Sequence, residues 1–157
     1  MKKNILIFSS VICLIFIIVL SVYYNKYRNN IMICTYSTEA DVYSMKTKYA
    51  VKYKNKVVNN VSTEEIFLKN DPTTLNEYKS TLENMYMPYN NLKYYDYSIT
   101  IKDNQVISKT NINYKKLDMK KFIEIDSNNK SILTNNKVSI KKLKKIYKNN
   151  GARCIYR

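Results

Sequence analysis

The chain begins with a long apolar stretch that its polar flanks set apart from the rest. From Ile5 to Val22 there are 18 residues, all apolar except three serines, and two tyrosines, Lys26 and Arg28 follow. A stretch of this length is enough to cross a bilayer as a helix. Tyrosines and cations are typical of the boundary between membrane and water. The pattern predicts an uncleaved transmembrane helix.

Two other interpretations fit this stretch less well. A cleaved signal peptide has a shorter apolar region of about 7 to 15 residues and ends at small residues, whereas this stretch ends in Val22 and Tyr23. Lipoprotein processing at Cys13 would require small residues before it, and Val11 and Ile12 stand there instead. We therefore expect Cys13 to be an apolar residue within the helix.

The remaining chain alternates between apolar and polar positions in a way that predicts two β-hairpins. The first covers Val42 to Ile66, with its turn near Asn55. The second has strands at Leu92–Lys102 and Val106–Tyr114, separated by Asp103 and Asn104, which favour turns.

Helical spacing of apolar residues follows each hairpin. A helix is predicted over Pro72–Met87, with Asp71 as its cap, and a short one after Leu117. Another begins at Ser139 and ends at Gly151. The predicted fold class is α+β: an antiparallel sheet of two β-hairpins packed on one side by amphipathic helices. Residues 1–30 form the anchor with its flanks, and residues 31–157 form one domain.

The chain is strongly basic, with a formal net charge of +15. Lys, Asn, Ile and Tyr are abundant, as A/T-rich codons dictate, so base composition explains part of the charge. Residues 31–157 still carry 23 basic against 12 acidic residues, a net of +11. This excess favours anionic neighbours.

The composition argues against most known catalytic and metal sites. The chain has no His and one Gly, so His-based catalysis, His-ligated metals and glycine-rich phosphate loops are excluded. We interpret Glu64, Glu65 and Asp126 as solvated surface carboxylates. We expect no enzyme, no metal and no cofactor; an envelope enzyme of unidentified type is the alternative.

Two groups of residues are candidate binding surfaces. On the last helix Lys141, Lys144, Lys145 and Lys148 share one face, which would suit anionic lipid or a wall polymer. Tyr94, Tyr95 and Tyr97 are close enough in a strand to place a ring on each side of the sheet, and so are a candidate ligand face. Nucleic acid is not expected as a partner.

Two cysteines outside the apolar stretch stand near the two ends of the domain. Cys34 and Cys154 would close a loop of most of the domain if they were joined. Disulfides persist outside the cytosol, so a bond would place the domain outside and the N-terminus inside. The charges on either side of the apolar stretch do not decide its orientation, and two separate buried thiols are the alternative.

Several short segments of the domain resemble a known family. They are Cys34-Thr35-Tyr36, the Lys-rich first hairpin through Val57-Val58, Asp103-Asn104-Gln105-Val106, Asn113-Tyr114 with Leu117-Asp118-Met119-Lys120-Lys121, and Gly151-Ala152-Arg153-Cys154. In their order they resemble the YehR-like family of small bacterial surface lipoproteins and membrane-anchored proteins. The resemblance implies an envelope location and supplies no activity.

Together these observations give one functional expectation. The chain is expected to be a single-pass protein of a bacterial cell membrane whose C-terminal domain is extracytoplasmic. That domain is expected to act as a binding or envelope-associated module, with the membrane as one partner and anionic lipid or wall polymer as further candidates.

Overall fold

The computed structural model describes residues 17–22 and 30–157. Residues 17–22 are helical, and the remainder of the predicted span, with Cys13, lies outside the described residues. Within the described ranges, no helix is both long and apolar enough to cross a bilayer. The transmembrane anchor therefore stays a prediction.

The centre of the domain is a six-stranded sheet in which every neighbouring pair is antiparallel. Its strands are β1 (Asn30–Ala40), β2 (Tyr43–Lys54), β3 (Val57–Leu68), β4 (Tyr95–Lys102), β5 (Gln105–Ile112) and β8 (Arg153–Tyr156). They lie in the order β4-β5-β3-β2-β1-β8. Strands β4 and β8 are thus the two edges.

Three α-helices and several short elements complete the domain. The helices are α1 (Pro72–Tyr86), α2 (Met119–Ile125) and α3 (Ile140–Asn149). Two 3₁₀ turns cover Met87–Tyr89 and Ser127–Ile132, and a small hairpin pairs β6 (Leu133–Thr134) with β7 (Lys137–Val138). The α+β class with an antiparallel sheet is confirmed.

The two predicted hairpins are confirmed, but the sheet is wider than they are. Asn55 and Lys56 form the first turn with φ of 49° and 66°, and Asp103 begins the second with φ of 55°. Strands β1 and β8 were not predicted, and each adds a row of partners to the sheet. The predicted sheet of two hairpins therefore lacks two of the six strands that the structure contains.

The helix ends follow the sequence signals. The Asp71 side chain accepts from the backbone N–H groups of α1 as predicted. Gly151, with φ of 84°, ends α3. Its N–H donates to the Lys148 carbonyl, and the Ala152 N–H donates to the Tyr147 carbonyl. Ser139 is the N-cap residue of α3 as predicted, although its side chain makes no capping bond. The Ile140 N–H bonds to the Lys56 carbonyl.

The core lies on one face of the sheet, in two clusters. The larger cluster joins β1, β2 and β3 to α2 and α3, through residues such as Val51, Phe122 and Leu143. The smaller one packs α1 on β3 and β5, through Phe67 and Leu82. Alternate strand residues point to the opposite face. We call this opposite face, which the described residues leave exposed or half-buried, the open face.

Candidate functional site

The two cysteines of the domain are directly opposite each other across β1 and β8. Cys34 and Cys154 are register partners with Cα atoms 4.0 Å apart, and they form a disulfide. The bond joins residues 120 positions apart and ties the edge strand β8 to its neighbour β1. The predicted pairing is confirmed, and the alternative of two separate thiols is wrong.

The predicted lysine face of α3 has one member that differs from the others. Lys141, Lys145 and Lys148 are exposed on the surface of the helix. Lys144 is half-buried, and its Nζ lies 4.0 Å from the centroid of the Tyr156 ring. This cation–π contact holds Lys144 toward the edge strand β8.

The three tyrosines of the predicted ligand face do not form one surface. Tyr95 and Tyr97 both lie on the core side of β4, where Tyr95 stacks on Tyr89 and Tyr97 contacts Tyr86. The strand begins at Tyr95, so Tyr94 lies outside the alternation, in a turn with φ of 71°. The predicted start of the strand at Leu92 was therefore wrong, and with it the alternation that was to place Tyr94 opposite Tyr95. Ligand binding by these rings stays a prediction.

Three basic residues of the open face stand in one row across the strands. In register, Lys109 on β5 pairs with Glu64 on β3, which pairs with Lys48 on β2. Lys48 pairs with Thr35 on β1, and Thr35 pairs with Arg153 on β8. Adjacent strands are about 4.8 Å apart, so the three cations stand at intervals of about 10 Å. We call Lys109, Lys48 and Arg153 the cation row.

A shallow groove follows this row along part of the open face. It has a volume of about 540 Å³. Ala50 and Ser62 supply small side chains in the neighbouring row, between larger polar ones. The Lys109 Nζ lies 3.0 Å from a carboxylate oxygen of Glu64. The groove therefore offers charged groups above a floor of small side chains, a form that suits an extended polar ligand.

One carboxylate lies on the core side of the sheet, where it was not expected. Glu65 is half-buried, and the Tyr78 hydroxyl donates to its Oε1 at 2.6 Å. The Thr47 hydroxyl donates to its Oε2 at 3.4 Å. The interpretation of Glu65 as a solvated surface carboxylate was therefore wrong. Its neighbour Glu64 does lie on the open face.

Glu65 also acts on the tyrosines that surround it. Burial raises the pKa of Tyr49, and the negative charge of Glu65 raises it further. Burial likewise raises the pKa of Tyr78, and the hydrogen bond to Glu65 adds to that effect. Both phenols therefore stay protonated at neutral pH, and the Tyr78 hydroxyl donates its proton to the hydrogen bond with Glu65.

The comparisons with known proteins agree with this fold. Residues 33–153 match the family described as "Protein of unknown function (DUF1307)". No curated protein matches the chain. The NMR structure of the E. coli YehR protein is similar with a TM-score of 0.54 at 17% identity, covering 78% of this chain and 89% of that one.

A second solved structure shows the same likeness. The NMR structure of a protein from Streptococcus pneumoniae TIGR4 has a TM-score of 0.52 at 12% identity, covering 82% of this chain and 87% of the other. At these identities both structures bear on the fold alone. The resemblance to YehR-like proteins is confirmed, and the family match, which covers most of the domain, shows that the chain belongs to the DUF1307 family.

Proposed function

We propose that the chain is a membrane-anchored extracytoplasmic module that binds an extended anionic polymer of the bacterial envelope through the cation row. The single observation that carries the proposal is that row. Arg153, Lys48 and Lys109 lie in register on alternate strands of a face that the described residues leave uncovered. Evenly spaced cations favour a ligand whose negative charges also repeat along its length.

Two features support the location. The Cys34–Cys154 disulfide suits an oxidising compartment, since the cytosol keeps most thiols reduced. The apolar stretch Ile5–Val22 has the length and flanks of a membrane anchor. Together they support a domain held at the outer surface of the membrane, where an envelope polymer is within reach.

Binding is favoured over catalysis by the form of the two polar sites. The groove on the open face is shallow and lined by surface residues. The Glu65 site is the observation nearest to the enzyme alternative, but the Tyr78 hydroxyl already occupies one carboxylate oxygen. Thr47, beside the other oxygen, is only 3% exposed. A general base must reach a proton on a substrate, so we assign Glu65 a structural role.

The proposal is tested by binding of the full chain to poly(glycerol phosphate). The chain is held in neutral detergent, and affinity is measured at low and high salt, with neutral dextran as the reference polymer. The double variant Lys48→Gln with Arg153→Gln removes two members of the row. At about 1 kcal/mol for each lysine or arginine at an anionic surface, affinity should fall about 30-fold.

A matched control separates the row from total charge. Lys121→Gln with Lys130→Gln also removes two exposed cations, from elements on the core side of the sheet. This control should keep nearly all of the affinity at moderate salt, because its lysines lie away from the open face. An equal loss in both variants, or no preference for the anionic polymer over dextran, would contradict the proposal.

A further inference from the structure

One end of the sheet collects basic residues. The turn of the β2–β3 hairpin carries Lys54 and Lys56, and Lys52 stands two positions before Lys54. The Lys115 N–H donates to the Asn59 carbonyl, which brings the segment after β5 to this turn. Arg157 exchanges backbone hydrogen bonds with Ile31 at the start of β1. We call this the basic end.

The other end of the sheet has a different charge. There the β1–β2 turn carries Glu39 and Asp41, Asp71 caps α1, and Asp103 lies in the β4–β5 turn. Lys46, Lys69 and Lys102 stand among these acids, so the charges of this end nearly cancel. Lys46 pairs with Glu39 at 3.8 Å. The domain is therefore polarised along its strands, and the basic end is the one suited to an anionic surface.

A pocket of about 480 Å³ opens at the basic end. Lys54, Lys115 and Lys137 line it, and no carboxylate is among the described residues that do so. Its apolar lining includes Val58 and Leu117, which are 2% and 7% exposed. Asp118 directly follows Leu117 in the sequence. Its side chain accepts from the backbone N–H groups of Lys120 and Lys121 at the start of α2. The pocket thus combines ammonium groups with an apolar floor.

The position of the pocket relative to the anchor follows from the start of β1. Strand β1 begins at Asn30, which pairs with Tyr53 beside Lys54. Seven residues, 23–29, separate it from the end of the predicted span at Val22. Seven residues reach at most about 25 Å when fully extended. A chain anchored by residues 5–22 must therefore hold its basic end near the membrane surface.

We infer that this pocket holds the phosphate of an anionic phospholipid headgroup in the membrane that anchors the chain. The inference rests on the anchoring in the proposed function, but not on which side of the membrane the domain lies. The lysine ammonium groups match the charge of a phosphate. The apolar floor matches the glycerol and the first methylene groups of the lipid, which lie just below the headgroup.

The inference is tested with the full chain in lipid nanodiscs. One set contains phosphatidylcholine only, and the other contains about one third phosphatidylglycerol, an anionic lipid. Hydrogen exchange is followed at the segments that form the pocket, residues 54–59, 113–117 and 135–138. We expect slower exchange there in the anionic discs, and retention of phosphatidylglycerol by the released protein in native mass spectrometry.

Two variants with equal charge change make the result specific. Lys115→Gln with Lys137→Gln alters the pocket, and should remove the slower exchange and lower lipid retention about 30-fold, at about 1 kcal/mol for each lysine. Lys46→Gln with Lys102→Gln removes two exposed lysines from the opposite end, and should leave both readouts as in the unaltered chain.

The remaining outcomes count against the inference in distinguishable ways. Chain that enters both kinds of disc but shows no response to phosphatidylglycerol overturns the lipid site and leaves the anchor intact. Equal protection by inorganic phosphate in phosphatidylcholine discs assigns the pocket to free phosphate, and overturns the lipid. Chain that enters neither disc overturns the anchoring, and the proposed function with it.

Discussion

Glu65 is the residue whose position departs most from the sequence-based expectation. It lies on the same side of β3 as Thr63 and Phe67, between the two apolar clusters of the core. A half-buried carboxylate needs hydrogen-bond donors to replace the water that it loses. Tyr78 and Thr47 supply them from α1 and β2. This carboxylate therefore joins a helix to the sheet.

Removing the Tyr78 hydroxyl should destabilise the fold. Tyr78→Phe keeps the ring that packs against Phe67 at a centroid distance of 4.3 Å, but takes away the short bond to Glu65. We expect the free energy of unfolding in urea to fall by about 1–2 kcal/mol. Tyr94→Phe, which alters an exposed ring, should change it by less than about 0.5 kcal/mol. Equal effects of the two variants would show that the Glu65 bond contributes nothing.

The strand alternation in the sequence already indicates that Glu65 faces the core. In a strand, residues two apart share a face, and Glu65 is two positions before Phe67. Because Glu64 and Glu65 are adjacent, one of them had to face the core. What the sequence does not contain is the partner: Tyr78 reaches Glu65 only because α1 crosses back over the sheet.

Among the elements, those with local signals were predicted and those with distant partners were not. Asp71-Pro72 starts α1, Gly151 ends α3, and Asn55 turns the first hairpin, all within a few residues. Strand β1 has apolar residues at consecutive positions, so it shows no alternation. Strand β8 has only four residues, and its partner lies about 120 positions away in the chain. Such pairing leaves no local pattern.

The start of α1 gives the domain a dependence on acid pH. The Asp71 carboxylate accepts from the Thr74 hydroxyl and from the N–H groups of Thr74 and Thr73. These bonds hold the pKa of Asp71 below its ordinary value, with the Thr74 hydroxyl as the largest cause. A carboxyl with a lowered pKa in the folded state stabilises the fold above its unfolded pKa. That contribution is lost as the pH falls through the folded value.

The prediction is a pH-dependent effect of Asp71→Ala. At neutral pH this variant should unfold at lower urea than the unaltered chain, and the difference should shrink as the carboxyl is protonated. The difference is measured by urea unfolding at neutral pH and at a pH low enough to protonate the carboxyl groups. Asp41→Ala, in an exposed turn, serves as the control. A difference that stays constant with pH would contradict the role of the charged cap.

For the molecule as a whole, the disulfide decides how the last strand is held. Strand β8 pairs with β1 over four residues, and the Cys34–Cys154 bond lies within that pairing. It also positions Arg153 at the end of the cation row and Tyr156 under Lys144. The covalent bond thus connects the stability of the edge to the open face that is proposed to bind polymer.

Loss of the disulfide should lower the free energy of unfolding. The double variant Cys34→Ser with Cys154→Ser releases a loop of about 120 residues in the unfolded chain. Loop-entropy arguments give a loss of about 4–5 kcal/mol in the free energy of unfolding. Urea unfolding of the full chain in neutral detergent measures it, with Cys13→Ser as the matched control. Equal stability of the two variants would mean that the bond does not constrain the fold.

The central claim is that the domain works outside the cytosol, and the state of its cysteines in the cell tests it most directly. Free thiols are alkylated at the moment of lysis, and the unreduced protein from native membranes is digested and analysed by mass spectrometry. We predict a crosslinked peptide pair containing Cys34 and Cys154, with neither cysteine alkylated. Alkylated Cys34 and Cys154 in place of that pair would contradict an extracytoplasmic domain.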